Sequence, residues 1–213
     1  MSNADEGGLT KSRIEALADG VFAVAMTLLV FEIKVPGPAQ EAGAVGLARH
    51  LASLWPNFVS YAISFFVLGI YWVGHHNQFH FIRRSNRPFL WLNIVFLFFV
   101  TLIPFSAALI SSHFDEPVAI AFYGGNLIAV GLVLYAIWAY ATRGRRLVDK
   151  DLPREAVYRA SQRILIAPCV FVVAIALGFF NTKASIVLYA ATATYYFFPS
   201  HIDLHWRKNR DAH

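Results

Sequence analysis

Long apolar runs, each close to the length that crosses a bilayer and set apart by clusters of charge, constrain this chain more than any other feature. A hydrocarbon core of roughly 30 Å takes about 20 residues of helix. Six segments reach that length: about Ser12 to Ile33, Leu54 to His76, Pro88 to Ser111, Pro117 to Thr142, Tyr158 to Phe180, and a last one ending near His201. Lys34-Val35-Pro36-Gly37-Pro38 is a firm stop after the first. Asn181-Thr182-Lys183 is so short a connection that the fifth and sixth segments must form a hairpin. Only 15% of the residues are charged, whereas soluble domains carry about a quarter. These features predict an all-α membrane protein with six transmembrane helices. The predicted organisation is a tail over residues 1–11, a membrane domain over 12–204 and a basic tail over 205–213. The first apolar run is too long, and lacks the cleavage site, for a removable signal peptide.

The distribution of positive charge sets the expected orientation. One set of alternate connections holds Arg83, Arg84 and Arg87, then Arg143, Arg145, Arg146, Lys150 and Arg154. Arg159 and Arg163 begin the fifth helix on that side, and the tails add Lys11, Arg13, Arg207, Lys208 and Arg210. The opposite side has Lys34, Arg49 and Lys183, with Asp115 and Glu116. Both termini are therefore expected in the cytoplasm, as an even span count also requires. The formal net charge of +5 would point to nucleic acid in a soluble protein. Here it reads as membrane orientation, with no nucleic-acid partner. Trp55, Trp72, Trp91, Trp138 and Trp206 stand near span ends and suit interfacial anchoring, and Trp72 and Trp91 suit packing inside the bundle equally. Cys169 is the only cysteine, so neither an internal disulfide nor a cysteine metal cluster is available.

Polar groups at membrane depth cost roughly 3 kcal/mol or more and need a reason. The first helix holds Arg13, Glu15, Asp19, Thr27 and Glu32. Arg13 and Asp19 are six residues apart and point to different sides of a helix, which implies partners elsewhere. Trp72, His75, His76 and Asn93 fall at a similar depth, so a network of Arg13, Asp19, Trp72, His75 or His76, and Asn93 is geometrically reasonable. Two readings compete: interhelical glue and a functional network. A metal site is not expected. Adjacent histidines diverge by about 100° on a helix, and His80, four residues beyond His76, falls in the Arg-rich connection. Gly20, Val24, Thr27, Leu28 and Phe31 recur at helical spacing along the first helix. Such a stripe is either packing or, if several copies surround an axis, the wall of a narrow pore whose apolar rings gate by dewetting.

The run Arg13-Ile14-Glu15-Ala16-Leu17-Ala18-Asp19-Gly20-Val21-Phe22-Ala23-Val24-Ala25-Met26-Thr27-Leu28-Leu29-Val30 resembles the first-helix signature of bacterial relatives of the lysosomal potassium channel called transmembrane protein 175. Trp72-Val73-Gly74-His75-His76, Leu90-Trp91-Leu92-Asn93 and Leu102-Ile103-Pro104-Phe105 resemble that family's second and third helices. The resemblance implies a homotetramer in the bacterial plasma (inner) membrane. It implies a potassium-permeable pore lined by the first helix of each subunit, with K+ as permeant ion and no cofactor. By position it implies constriction layers at Val24, Leu28 and Phe31 with Thr27 beside them, and Arg13 and Asp19 in a network supported by His76, Trp72 and Asn93. Leu17-Ala18 stands where the family signature has Phe-Ser, so this network is expected to be weaker or satisfied differently. The chain is then a channel and not an enzyme. The alternatives from the residues alone are a proton-coupled transporter using Asp19 and His76, and a membrane metalloenzyme built on His75, His76 and His80.

Overall fold

A computed structural model describes residues 4–34 and 44–197. Every named element in them is helical: α1 (Ala4–Leu28, tightening into a 3-10 turn at Leu29–Glu32), α2 (Ala44–Ser53), α3 (Trp55–Phe81), α4 (Arg87–Thr101), α5 (Ile103–Ser112), α6 (Pro117–Thr142), α7 (Arg154–Gly178) and α8 (Thr182–Phe197). Proline opens α3, α4, α5 and α6, because its missing N–H is unpaired in a first turn anyway. Asn86 caps α4, its side chain accepting the Phe89 N–H at 3.1 Å.

Among the described residues, five stretches are long and apolar enough to cross a membrane: Lys11–Glu32, Trp55–Phe81, Arg87–Ser112, Pro117–Arg145 and Arg154–Gly178. The sixth predicted span appears as the 16 residues of α8. Its expected end at His201, the tail 205–213 with Arg207, Lys208 and Arg210, Trp206, and the stop at Val35–Pro38 all lie outside the described residues. Helix α2 answers to no predicted element, since ten residues are too short to register as a span. His80, expected in the Arg-rich connection, lies in the last turn of α3.

The predicted third span is broken at Leu102 into α4 and α5. Pro104 has no N–H to continue the ladder. The amide of Asn126, on α6, bridges the gap: with its nitrogen towards Phe99 it donates to that carbonyl at 3.3 Å and accepts the Ile103 N–H at 3.3 Å. That orientation leaves both of its polar atoms satisfied. Pro168, in contrast, stays within an unbroken α7.

Helix α6 has no charged residue and is the most buried of the five candidate spans. Trp138 is buried there, its indole donating to the Val157 carbonyl at 3.3 Å, so it is a core residue rather than an interfacial anchor. Helix α3 is stapled to α6 at seven-residue intervals. The Ser64 and Tyr123 hydroxyls are 3.0 Å apart, Tyr71 donates to the Leu127 carbonyl at 2.7 Å, and Gln78 donates to the Leu134 carbonyl at 3.1 Å. Without water in a bilayer core, such groups must pair inside the protein. The α7–α8 hairpin is closed by Asn181, which accepts the Ala184 N–H, and by Ser185, which donates to the Ala174 carbonyl at 2.6 Å.

Helices α6 and α7 approach closely at Gly131. A Cβ there would sit 2.6 Å from Cγ of Pro168, a rigid ring that cannot swing aside. Gly131→Ala is therefore expected to cost about 1–3 kcal/mol by overpacking, read as a lowered unfolding temperature in detergent.

Candidate functional site

Helix α1 divides into two faces. Ile14, Ala18, Phe22, Ala25 and Leu29 are buried, a spacing that keeps one side of a helix against its neighbours. Phe22 meets Phe96 of α4 with ring centroids 5.9 Å apart. The opposite side carries the predicted stripe, and it faces out of the subunit. Val24 is 57% exposed, Leu28 45% and Phe31 74%. Thr27 is exposed as well, and its hydroxyl is satisfied within its own helix by the Ala23 carbonyl at 3.0 Å and the Val24 carbonyl at 2.8 Å. No heavy atom lies within 4 Å of where a Gly20 Cβ would stand, so nothing inside the subunit requires glycine there. Arg13 and Leu17 are exposed too. With Gly20, Val24, Thr27 and Phe31 they recur at alternating intervals of four and three, the seam spacing of helices that pack side by side.

The predicted polar residues of α1, α3 and α4 form two groups rather than one network. In the buried group His75 lies 2.9 Å from Oδ1 of Asn93, and Nδ2 of Asn93 donates to the Phe89 carbonyl at 2.8 Å. An amide oxygen only accepts, so Nε2 of His75 carries the proton. The imidazole stacks on Phe96 at 5.2 Å and 4° and lies 4.4 Å from the Phe79 ring. In the exposed group the Trp72 indole donates to Asp19 at 2.8 Å, and its ring stacks on His76 at 5.6 Å. Arg13 joins neither: among the described residues it has no ion pair, the two salt bridges being Arg83–Asp149 and Arg159–Glu155. No group of three or more His, Cys, Asp or Glu gathers as a metal site among the described residues.

The aromatic support was not legible in the sequence. Phe96 touches both Phe22 and His75, so it links the first helix to the buried polar pair. Its only signal was its position three residues after Asn93. Trp72→Phe removes the indole N–H and keeps a ring against His76. Because Asp19 is exposed and water replaces the lost donor, the expected loss is below about 1.5 kcal/mol, measured by thermal unfolding.

Comparison with known proteins identifies the family. Residues 13–104 match the sequence profile of the family described as endosomal/lysosomal potassium channel TMEM175. A potassium channel of Chamaesiphon minutus is 35% identical over 187 residues, covering 86% of this chain and 92% of the relative. The chain belongs to the TMEM175 family. A potassium channel of Streptomyces collinus is 33% identical over 190 residues, covering 87% of this chain and 91% of the relative. Among solved structures, the potassium-selective TMEM175 homologue from Chamaesiphon minutus superposes with a TM-score of 0.78 at 33% identity, covering 88% of this chain and 96% of the other. This TMEM175-family chain is thus a multi-pass helical membrane protein, and the matched residues 13–104 run from α1 to the start of α5.

Proposed function

We propose that this protein is a potassium-permeable cation channel, with a pore lined by α1 of each subunit and an apolar constriction at Val24, Leu28 and Phe31. The observation that carries the reading is the stripe itself, which is apolar, continuous and turned away from its own subunit. In a chain whose relatives are named potassium channels, an unpartnered face at seam spacing supports α1 helices gathered about a common axis. Gly20, with no neighbour inside the subunit, supports close approach at that axis. Four subunits with six spans each, cytoplasmic termini and a bacterial plasma membrane complete the proposal, with Thr27 beside the apolar rings. Cations pass apolar rings while hydrated, and narrowing such a ring expels water and closes the path.

The proton-relay alternative meets an obstacle. Asp19 and His76 each meet the Trp72 side chain, and an indole N–H donates without accepting. The indole itself therefore relays no proton between them.

Reconstitution in liposomes with a potassium gradient tests the proposal. The expected result is passive, non-saturating potassium flux with unitary currents, larger for potassium than for sodium. Saturable uptake that follows a proton gradient, without unitary currents, overturns it.

A further inference from the structure

The two arginine-rich connections are one structural unit, although 55 residues of chain separate them. Ile82 and Val148 form an antiparallel bridge. The backbone N–H groups of Arg83 and Arg84 both donate to the Leu147 carbonyl, at 2.7 and 3.2 Å, and Leu147 donates to Ala141 at 3.0 Å. Ile82, Leu147 and Val148 are buried, which anchors the loops to the ends of the helices. The turn that makes this fit possible takes two left-handed residues in succession, Gly144 at φ 64° and Arg145 at φ 53°. Asn86 donates to the Tyr140 hydroxyl at 3.0 Å, and the Arg146 guanidinium lies over the Tyr140 ring.

This unit is strongly cationic. Residues 82–87 and 143–154 contain eight Lys or Arg against two Asp. Asp149 is engaged by Arg83 at 3.0 Å. Arg84, Arg87 and Arg154 are exposed, and the two salt bridges among the described residues, Arg83–Asp149 and Arg159–Glu155, do not involve them. Arg87 and Arg154 are the first residues of α4 and α7, so they stand where apolar spans meet water. One turn further along the same faces come Trp91, 61% exposed, and Tyr158, 63% exposed. A guanidinium with an amphipathic ring one turn deeper is a pairing suited to a lipid headgroup and its glycerol region.

We propose that the joined α3–α4 and α6–α7 connections form a docking surface for the phosphate groups of anionic phospholipids in the adjacent leaflet. The occupant is a lipid rather than a dissolved anion because the cations flank exposed aromatic residues on apolar helices. A soluble polyanion would make no use of Trp91 or Tyr158. Positive charge held on a rigid two-loop plate loses less freedom on binding than charge on loose tails.

Native mass spectrometry of the purified full-length protein tests this, with phosphatidylglycerol and phosphatidylcholine of identical acyl chains. The wild-type protein should retain phosphatidylglycerol preferentially. Arg84→Gln, Arg87→Gln and Arg154→Gln together should lower that preference at least about fivefold, the effect of even one interfacial arginine. The same three positions changed to Lys should keep it, which separates lost charge from lost folding. Lys34→Gln with Lys183→Gln, which removes charge at the other ends of the helices, should also keep it. Equal retention of both lipids by the wild type overturns the proposal, as does an unchanged preference in the glutamine variant. Displacement of the lipid by added glycerol phosphate overturns it too, since the surface then takes soluble anions.

Discussion

Phe31→Ala is expected to raise potassium conductance and weaken discrimination against sodium. Phe31 is the most exposed large side chain of the stripe at 74%, and on the proposed axis its rings form an apolar layer near the outer end of α1. Removing them lowers the penalty for keeping water in the passage. Each ~1.4 kcal/mol taken off the barrier speeds permeation about tenfold. The experiment is clean because an exposed side chain contributes little to the subunit's own core, so the variant should fold and assemble. Val24→Ala, one layer inward and also exposed, should act in the same direction with a smaller effect. Single-channel recording in planar bilayers is the measurement. Unchanged conductance and selectivity in both variants would place the stripe against lipid or in subunit packing, and the pore elsewhere.

Asn93→Leu is expected to destabilise the protein by about 1–3 kcal/mol, the cost of leaving a buried donor unsatisfied. His75 packs against Phe79 and Phe96, and among the described residues its side chain bonds only Asn93, so its N–H has no alternative acceptor there. His75→Phe with Asn93→Leu should recover much of that loss, because both partners of the bond are then apolar. A double-mutant cycle on unfolding temperature measures the coupling. The cycle also separates glue from function. If the pair merely staples α3 to α4, the double variant conducts like wild type below its unfolding temperature. If conduction fails while stability returns, the pair does more than hold helices together.

Much of the architecture was legible because a bilayer allows few solutions. Backbone groups in hydrocarbon must be satisfied within each segment, so apolar length alone marks helices. Pro88 and Pro117 then placed two starts to within a residue. The same logic hid α2, which is too short to span, and the break at Leu102, which depends on an Asn126 amide more than 20 residues away. It also misplaced Trp138, since a tryptophan near a helix end looks alike whether lipid or α7 lies beside it. The candidate site was half legible. Periodicity found the exposed stripe, and polar depth named side chains of which Trp72 meets Asp19 and His75 meets Asn93, but neither could tell which polar side chains meet. His75 and His76 are neighbours in sequence, and a 100° turn sends one into the core with Asn93 and the other to the surface on Trp72.

What the sequence determined by itself is the set of apolar helices, the one-sided distribution of their flanking charge, and the family signature on the first of them. These follow from local chemistry: hydrophobic length, helix-starting prolines and the cost of moving charge through hydrocarbon. Only the tertiary structure decided which face of α1 is turned outward, that Arg13 stands apart from Asp19, and that two distant arginine loops join at Ile82 and Val148. Each of these is a contact between segments far apart in the chain, and periodicity along a single helix carries no information about what packs against it.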